Sequence, residues 1–177
     1  MKIVNRVWNL LAAMLVLAIV WRVWFAPRMF SAKAYPAPHA VYQRLDGGQF
    51  RVTSARGHML FLDFYASWCE PCRQDLPAVE AFARTHPRVE VVPIDVGEPR
   101  PAVAAFASEL RLSGVALDPD GLSRGFFGIE GFPTVVTIDP QGRVRAVWAG
   151  YNPFIASAMA NAVAQLGAGG SRTATSR

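Results

Sequence analysis

The two cysteines of the 177-residue chain, Cys69 and Cys72, stand two residues apart and are the only ones in the sequence. A C-x-x-C pair can contribute to a zinc site, attach haem, form a structural disulfide or exchange disulfides with a substrate. The three histidines lack the paired spacing that would complete a zinc site, and Arg73 stands where haem attachment needs histidine. A structural disulfide across so short a loop would restrict the unfolded chain only slightly. The pattern therefore favours thiol–disulfide exchange and predicts no metal ion.

The residues on either side of the pair indicate which thiol reacts. Residues 58–65 are mostly apolar, which predicts a buried strand, and apolar residues at helical spacing predict a helix from the cysteines to about Arg84. The free N–H groups and the dipole of a helix N-terminus stabilise a thiolate, so Cys69 is expected to be the nucleophile. Cys72, one turn later and facing inward, is expected to release the substrate by attacking the sulfur of Cys69.

The two residues between the cysteines belong to the first helical turn. Pro71 is tolerated there because its missing N–H would have no partner inside the helix. Glu70 has two opposing effects, since a carboxylate suits a helix N-terminus but its charge disfavours a thiolate at Cys69. The sequence leaves open which effect is larger.

The remaining pattern predicts an α/β domain with a central mixed sheet flanked by helices. Strands are predicted at residues 49–53, 89–96, 134–138 and 144–148, with a short edge strand at 115–117. Helices are predicted at residues 101–110 and 153–166, with a short one within 121–127. The turn residues Asp139-Pro140-Gln141-Gly142 predict that the last two strands form a hairpin, whereas the earlier strands run parallel through crossover helices.

The N-terminal segment is predicted to enter a membrane. Residues 7–26 span 20 positions, interrupted only by Asn9 and Arg22 near the ends, which matches the length of about 20 residues that crosses a bilayer as a helix. The alternative is a signal peptide cleaved near Ala34, at the small-residue site 32–34. The predicted organisation is an anchor or signal segment at 1–34, a stiff proline-rich linker at 35–40, the domain at 41–166, and a disordered tail at 167–177.

The excess of positive charge is located at the two ends of the chain. The whole chain has a formal net charge of +5, but residues 35–166 contain 11 basic and 13 acidic side chains, a net of −2. A nucleic-acid-binding domain would need a basic surface, so the composition of the domain excludes that class of function.

The stretch from Phe61 to Cys72, FLDFYASWCEPC, resembles the active-site strand and helix start of the thioredoxin superfamily, in which a proline at the position of Pro77 kinks the helix. Residues 116–121 and 127–134 resemble the second half of the membrane-anchored bacterial TlpA/ResA-type thiol-disulfide oxidoreductases. The resemblance covers roughly residues 40–166. It implies a thioredoxin-like fold.

The resemblance also implies roles for individual residues. Pro133 aligns with the cis-proline that packs beside the cysteines and presents backbone to a substrate strand. Asp63 lies six residues before Cys69 in an apolar strand, where burial raises a carboxyl pKa, so it is expected to accept the proton of Cys72; the alternative is a hydrogen bond at the strand end. Trp68 is expected to shield the thiols, or simply to pack. The surface expected to meet a substrate comprises Trp68, Glu70, Pro71, Phe132 and Thr134, with Phe132 alternatively a core residue.

The family implies an enzyme that needs no cofactor beyond its redox-active disulfide. The group includes reductants for cytochrome c maturation, so the expected activity is reduction of disulfides in envelope proteins such as apocytochrome c. That activity places the domain outside the cytoplasmic membrane, on a single-pass anchor or secreted after cleavage, and implies a membrane electron donor. An envelope thiol oxidase or isomerase and a non-catalytic binding module on the same fold are the rival functions.

Overall fold

The computed structural model of the protein describes residue 8 and residues 11–17, 28–30, 34–55 and 57–167. Residue 8 and residues 11–17 are helical, and the other positions of the predicted 7–26 span lie outside the described residues. Within the described ranges, no helix combines the length and the apolar composition needed to cross a bilayer. Residues 32–33 of the predicted cleavage site and residues 168–177 of the predicted tail also lie outside the described part of the chain.

The described residues form one mixed sheet of nine strands. In chain order the strands are β1 (Arg28–Phe30), β2 (Tyr35–Pro36), β3 (Val41–Arg44), β4 (Gln49–Arg51), β5 (Met59–Tyr65), β6 (Val89–Val96), β7 (Ala116–Asp118), β8 (Thr134–Ile138) and β9 (Arg143–Ala149). Their spatial order is β1-β9-β8-β5-β6-β7-β3-β4, and β2 also pairs with β9. Strands β5, β6 and β7 are parallel, while β8 and β9 form the predicted antiparallel hairpin.

Four helices follow the strands that the sequence pattern predicted. They are α1 (Glu70–Thr85), α2 (Arg100–Leu110), α3 (Ser123–Phe127) and α4 (Ile155–Leu166), and a short 3-10 turn covers Val52–Ala55. Helix α1 continues through Pro77. Parallel strands need such crossover connections, which explains why α1 and α2 link β5, β6 and β7.

The sheet contains two strands that the sequence pattern did not predict, β1 and β3, and it differs from the prediction in two further features. Strand β7 was expected at the edge, but it lies between β6 and β3, because the β3–β4 hairpin adds outside it. Residues 35–37 of the predicted stiff linker pair with the domain: Tyr35 and Pro36 pair with β9, and the Ala37 N–H donates to the Gly142 carbonyl.

Central strand β5 is buried along its whole length, and its side chains alternate between two apolar layers. Leu60, Leu62 and Phe64 pack in the layer that includes Phe127 of α3. On the opposite face, Phe61 packs in a cluster with residues of α1 and α4, and Tyr65 packs with the two cysteines and with residues of α2. The face that includes Phe61 and Tyr65 therefore also contains Asp63, directly beneath α1.

Candidate active site

The cysteines lie where β5 ends and α1 begins, at the carboxyl edge of the parallel strands. They are joined by a disulfide, and both belong to the apolar cluster between the sheet, α1 and α2. Cys69 keeps 4% of its surface exposed, whereas Cys72 is fully buried. This difference matches the predicted order of reaction, in which a substrate reaches Cys69 first.

Cys69 is the N-cap residue of α1. Its Sγ accepts a hydrogen bond from the backbone N–H of Cys72 at 3.2 Å, and its carbonyl accepts from the N–H groups of Cys72 and Arg73. In the reduced protein the same N–H and the positive end of the helix dipole would favour the thiolate over the thiol. The local geometry thus supports a nucleophile at Cys69.

The turn before β8 packs against the cysteines. The Phe132–Pro133 peptide bond is cis, as the resemblance implies, and Phe132 packs against the cluster that contains both cysteines. The Pro133 carbonyl accepts a hydrogen bond from the Gly150 N–H, which ties this turn to the end of β9. Thr134 is buried and its hydroxyl donates to the Gly131 carbonyl, so its side chain stabilises the turn.

Aromatic side chains form the exposed surface beside Cys69. Trp68 is 70% exposed, and its ring meets that of Phe132 edge-on at a centroid distance of 5.9 Å. The guanidinium of Arg124 lies 5.1 Å from the Phe132 ring centroid. Glu70 and Pro71 are exposed in the first turn of α1. Of the five residues predicted to meet a substrate, Trp68, Glu70 and Pro71 are therefore exposed, Phe132 is partly buried, and Thr134 is buried.

Arg73, the residue after Cys72, contacts helix α2. Its guanidinium pairs with Glu109 at 2.6 Å and lies 4.7 Å from the centroid of the Phe106 ring. Both partners belong to α2, so Arg73 fastens the start of α1 to that helix.

Asp63 is a buried carboxyl without a partner. Only 1% of its surface is exposed, and neither of its oxygens has a hydrogen-bond donor. Burial, and next the charge of Asp75, raise the pKa of Asp63 well above its ordinary value. The Asp63 carboxyl therefore does not form the alternative hydrogen bond at the end of the strand. Its pKa is raised, as the sequence analysis expected.

Asp75 is the site residue that the sequence analysis missed. It lies one turn after Cys72 on the buried face of α1, and its Oδ2 accepts a long hydrogen bond of 3.4 Å from the Asn152 N–H. Burial raises the pKa of Asp75 to about 6, although the Asn152 N–H opposes the rise. The available signal was the spacing of three between Cys72 and Asp75, which places both side chains on one helix face.

Asp63 and Asp75 together form a pair of like-charged groups under the cysteines. Burial and the charge of Asp75 favour a proton on Asp63, whereas Asp75 itself has a pKa of about 6. A pair of this kind can take up a proton from Cys72 as it becomes a nucleophile. Among the described residues, no group of three or more histidine, cysteine or acidic side chains is arranged to hold a metal ion.

The model of the AhpC/TSA family matches residues 34–147, which include β5, both cysteines and the cis-proline. The chain belongs to the AhpC/TSA family. It is 28% identical over 134 residues to the thiol-disulfide oxidoreductase ResA of Geobacillus thermodenitrificans, covering 74% of this chain and 77% of that protein. It is 29% identical over 135 residues to ResA of Bacillus subtilis, covering 74% of this chain and 75% of that protein.

A solved structure supports the same relationship. A thiol:disulfide interchange protein of the thioredoxin family from Chlorobium tepidum superposes with a TM-score of 0.66 and 28% identity, over 77% of this chain and 99% of that one. The predicted thioredoxin-like fold is confirmed for the domain. The predicted enzyme class, a thiol-disulfide oxidoreductase, is confirmed by these relatives together with the cysteine pair.

Proposed function

We propose that this protein reduces disulfides in proteins of the bacterial cell envelope, with Cys69 as the attacking thiol and Cys72 as the resolving thiol. The observation that carries the proposal is the position of Cys69, whose Sγ caps α1 beside the cis-proline turn. A reactive thiol needs this electropositive environment, and a structural disulfide does not.

The reaction consists of two exchanges. The Cys69 thiolate attacks one sulfur of the substrate disulfide, which forms a mixed disulfide and releases the other substrate sulfur as a thiolate that takes up a proton. Cys72 then loses its proton and attacks the Cys69 sulfur, which forms the Cys69–Cys72 disulfide and releases the second substrate thiol. The substrate gains two electrons and two protons, and the enzyme is left in the oxidised form.

The buried carboxyls support the second exchange. Cys72 is fully buried, so water cannot readily accept its proton. Asp75, with a pKa of about 6, is mainly ionised at neutral pH and lies one turn away on the same face of α1. Burial and then the charge of Asp75 raise the pKa of Asp63, the residue predicted from the sequence, which favours a proton on its carboxyl.

The finer parts of the proposal rest on the resemblance. The relatives named ResA support a ResA-like substrate, for which apocytochrome c is the proposed example. The apolar segment at residues 7–26 supports a membrane anchor, with the domain outside the cytoplasmic membrane. Each turnover leaves an oxidised pair in an oxidising compartment, so a membrane electron donor must restore the dithiol.

The test is a trap for the substrate. Cys72→Ala blocks resolution, so the substrate should remain linked to Cys69 and be recoverable from cells as a mixed disulfide that reductant releases. The matched control is Cys69→Ala, which should trap no partner. Recovery of apocytochrome c supports the named substrate, recovery of another envelope protein corrects it, and equal recovery with both variants contradicts the mechanism.

The direction of electron flow distinguishes the two enzymatic rivals. The reductase function predicts a reduction potential well below that of an oxidase. The potential is measured by equilibration with glutathione, and a difference of about 30 mV in this two-electron couple corresponds to about 1.4 kcal/mol. A strongly oxidising potential would assign the protein to disulfide formation instead. Reduction of insulin disulfides by the reduced protein separates all enzymatic functions from a non-catalytic binding module.

A further inference from the structure

One carboxylate holds the loop that leads into the cysteines. The Ser67 backbone N–H donates to Glu98 Oε2 at 2.5 Å, and the Ser67 hydroxyl donates to Glu98 Oε1 at 2.6 Å. Ser67 stands between the end of β5 and Trp68, two residues before Cys69. Glu98 lies in the loop after β6. The two hydrogen bonds therefore join the loop between β5 and α1 to the loop between β6 and α2, next to the cysteines.

A second carboxyl, Asp95, lies behind Glu98 at the end of β6. Only 1% of its surface is exposed, and no side chain donates a hydrogen bond to either oxygen. The titratable groups that face it are the Tyr65 hydroxyl from β5, Glu98, and Asp118 from β7. Among the described residues, no ion pair includes Asp95 or Glu98.

A buried carboxylate with only acidic and neutral neighbours is strongly disfavoured unless it carries a proton. Once protonated, Asp95 becomes a donor, and Glu98 is the acceptor beside it. Burial first, then the side chain of Glu98 and the charge of Asp118, raise the pKa of Asp95 to about 8, although a hydrogen bond from the Glu98 backbone N–H opposes the rise. Burial alone would raise the pKa of Glu98, but the hydrogen bonds from Ser67 and Asp95 outweigh it and lower the pKa.

We propose that protonated Asp95 donates to Glu98 and thereby orients the carboxylate that holds Ser67, so that Asp95 and Glu98 are positioning residues for Trp68 and Cys69. Neither residue touches the reacting sulfurs, and both act through the Ser67 loop. The inference concerns the dithiol site, so its test by enzyme activity rests on the proposed function. Its test by NMR does not require the protein to turn over substrate.

The pair gives the loop a pH response of its own. When Asp95 loses its proton, the donor to Glu98 disappears and two adjacent carboxylates repel each other. The Glu98 carboxylate then reorients, and its hydrogen bonds to Ser67 weaken. Asp95→Asn keeps a donor at every pH, because its side-chain amide can donate to Glu98 without titrating.

The structural test uses the oxidised full-length protein, in which neither thiol titrates. The chemical shift of the Ser67 amide proton is followed by ¹⁵N-correlated NMR from pH 6 to pH 9.5. In the wild-type protein we expect a downfield resonance that moves upfield with a midpoint near pH 8. In Asp95→Asn the resonance should stay downfield without a midpoint, whereas Asp63→Asn should keep the wild-type titration. No midpoint in the wild-type protein, or the same midpoint in Asp95→Asn, would overturn the inference.

The activity test compares two changes at Glu98 with a control. Glu98→Ala removes both hydrogen bonds to Ser67, and we expect kcat/KM for disulfide reduction to fall about tenfold or more, since small misplacements at a reacting centre have large effects on rate. Glu98→Gln retains an acceptor for Ser67 and should stay within about threefold of the wild-type protein, because one of the two hydrogen bonds survives. The matched control is Glu90→Ala, at the opposite end of β6.

The outcomes separate this inference from the proposed function. If Glu98→Ala matches Glu90→Ala in a protein that turns over, the positioning role is wrong while the reductase function stands. If no variant and no wild-type protein turns over, the reductase function fails, and the Ser67 titration still decides whether Asp95 and Glu98 share a proton.

Discussion

The buried carboxyl of Asp75 predicts a specific dependence of stability on pH, which Asp75→Asn should remove. The pKa of Asp75 is raised from 3.8 to about 6 in the folded protein. Because the folded state holds this proton more tightly than the unfolded state, its contribution favours folding below about pH 4 and declines as the pH rises toward 6. Above about pH 7 the full penalty of burying the charge is present.

The shift sets the size of the effect. A difference of about 2 pKa units at about 1.36 kcal/mol each corresponds to roughly 3 kcal/mol of free energy of unfolding. Asparagine has the same shape, can still accept from the Asn152 N–H and does not titrate. The advantage of Asp75→Asn over the wild-type protein should therefore grow by about 2.5 kcal/mol between pH 4 and pH 7.5, because the unfolded carboxyl is already about half ionised at pH 4.

Urea unfolding of the oxidised protein at pH 4, 5, 6 and 7.5 measures this difference, with linear extrapolation to water. Asp46→Asn, at an exposed position, is the matched control for replacing an aspartate. A stability difference between Asp75→Asn and wild type that stays constant over this range would refute the assignment of a raised pKa to Asp75. So would a difference that shrinks as the pH rises.

Three further predictions concern the cysteine site and the core. Asp63→Asn should slow the resolution of a preformed Cys69 mixed disulfide by about 10²-fold at neutral pH, as measured by stopped-flow kinetics. The rate at which Cys69 itself is alkylated should change little. Equal slowing of both rates would contradict a role confined to Cys72. Trp68→Ala should raise KM for a protein disulfide about 2- to 10-fold with kcat nearly unchanged, since an exposed aromatic contact contributes about 0.5–1.5 kcal/mol; a lower kcat at constant KM would show that Trp68 acts on the chemistry instead. Phe61→Ala, in the buried cluster with Phe82 and Trp148, should lower the free energy of unfolding by about 3–5 kcal/mol in urea titrations. A loss below about 1 kcal/mol would contradict close packing of Phe61 in this cluster.

Local patterns were sufficient to predict the elements that carry the cysteines. The apolar run before Cys69 and the helical spacing after Cys72 predicted β5 and α1, and the observed bounds differ by one or two residues. The turn residues 139–142 correctly predicted the β8–β9 hairpin, because a tight turn is specified by its own sequence.

Features that depend on distant parts of the chain were missed. Strand β3 has only four residues, and its pairing with β7 places that strand inside the sheet, which no short-range pattern indicates. In the sequence Asp75 is indistinguishable from an ordinary aspartate in a helix. It contacts the distant loop at Asn152 only in the folded protein. The same is true of Glu98, whose contact with Ser67 spans 31 residues of sequence and exists only because two parallel strands end side by side.

The acidity of the Cys69 thiol tests the central claim most directly. The measurement is the rate of iodoacetamide alkylation of the reduced protein against pH, with the modified cysteine identified by mass spectrometry. The account predicts that Cys69 reacts first, with a pKa of about 7 or below, well under the value of about 8.5 for a free cysteine. A pKa of about 8.5 at Cys69, or equal and slow labelling of both cysteines, would contradict the claim that the N-terminus of α1 activates this thiol.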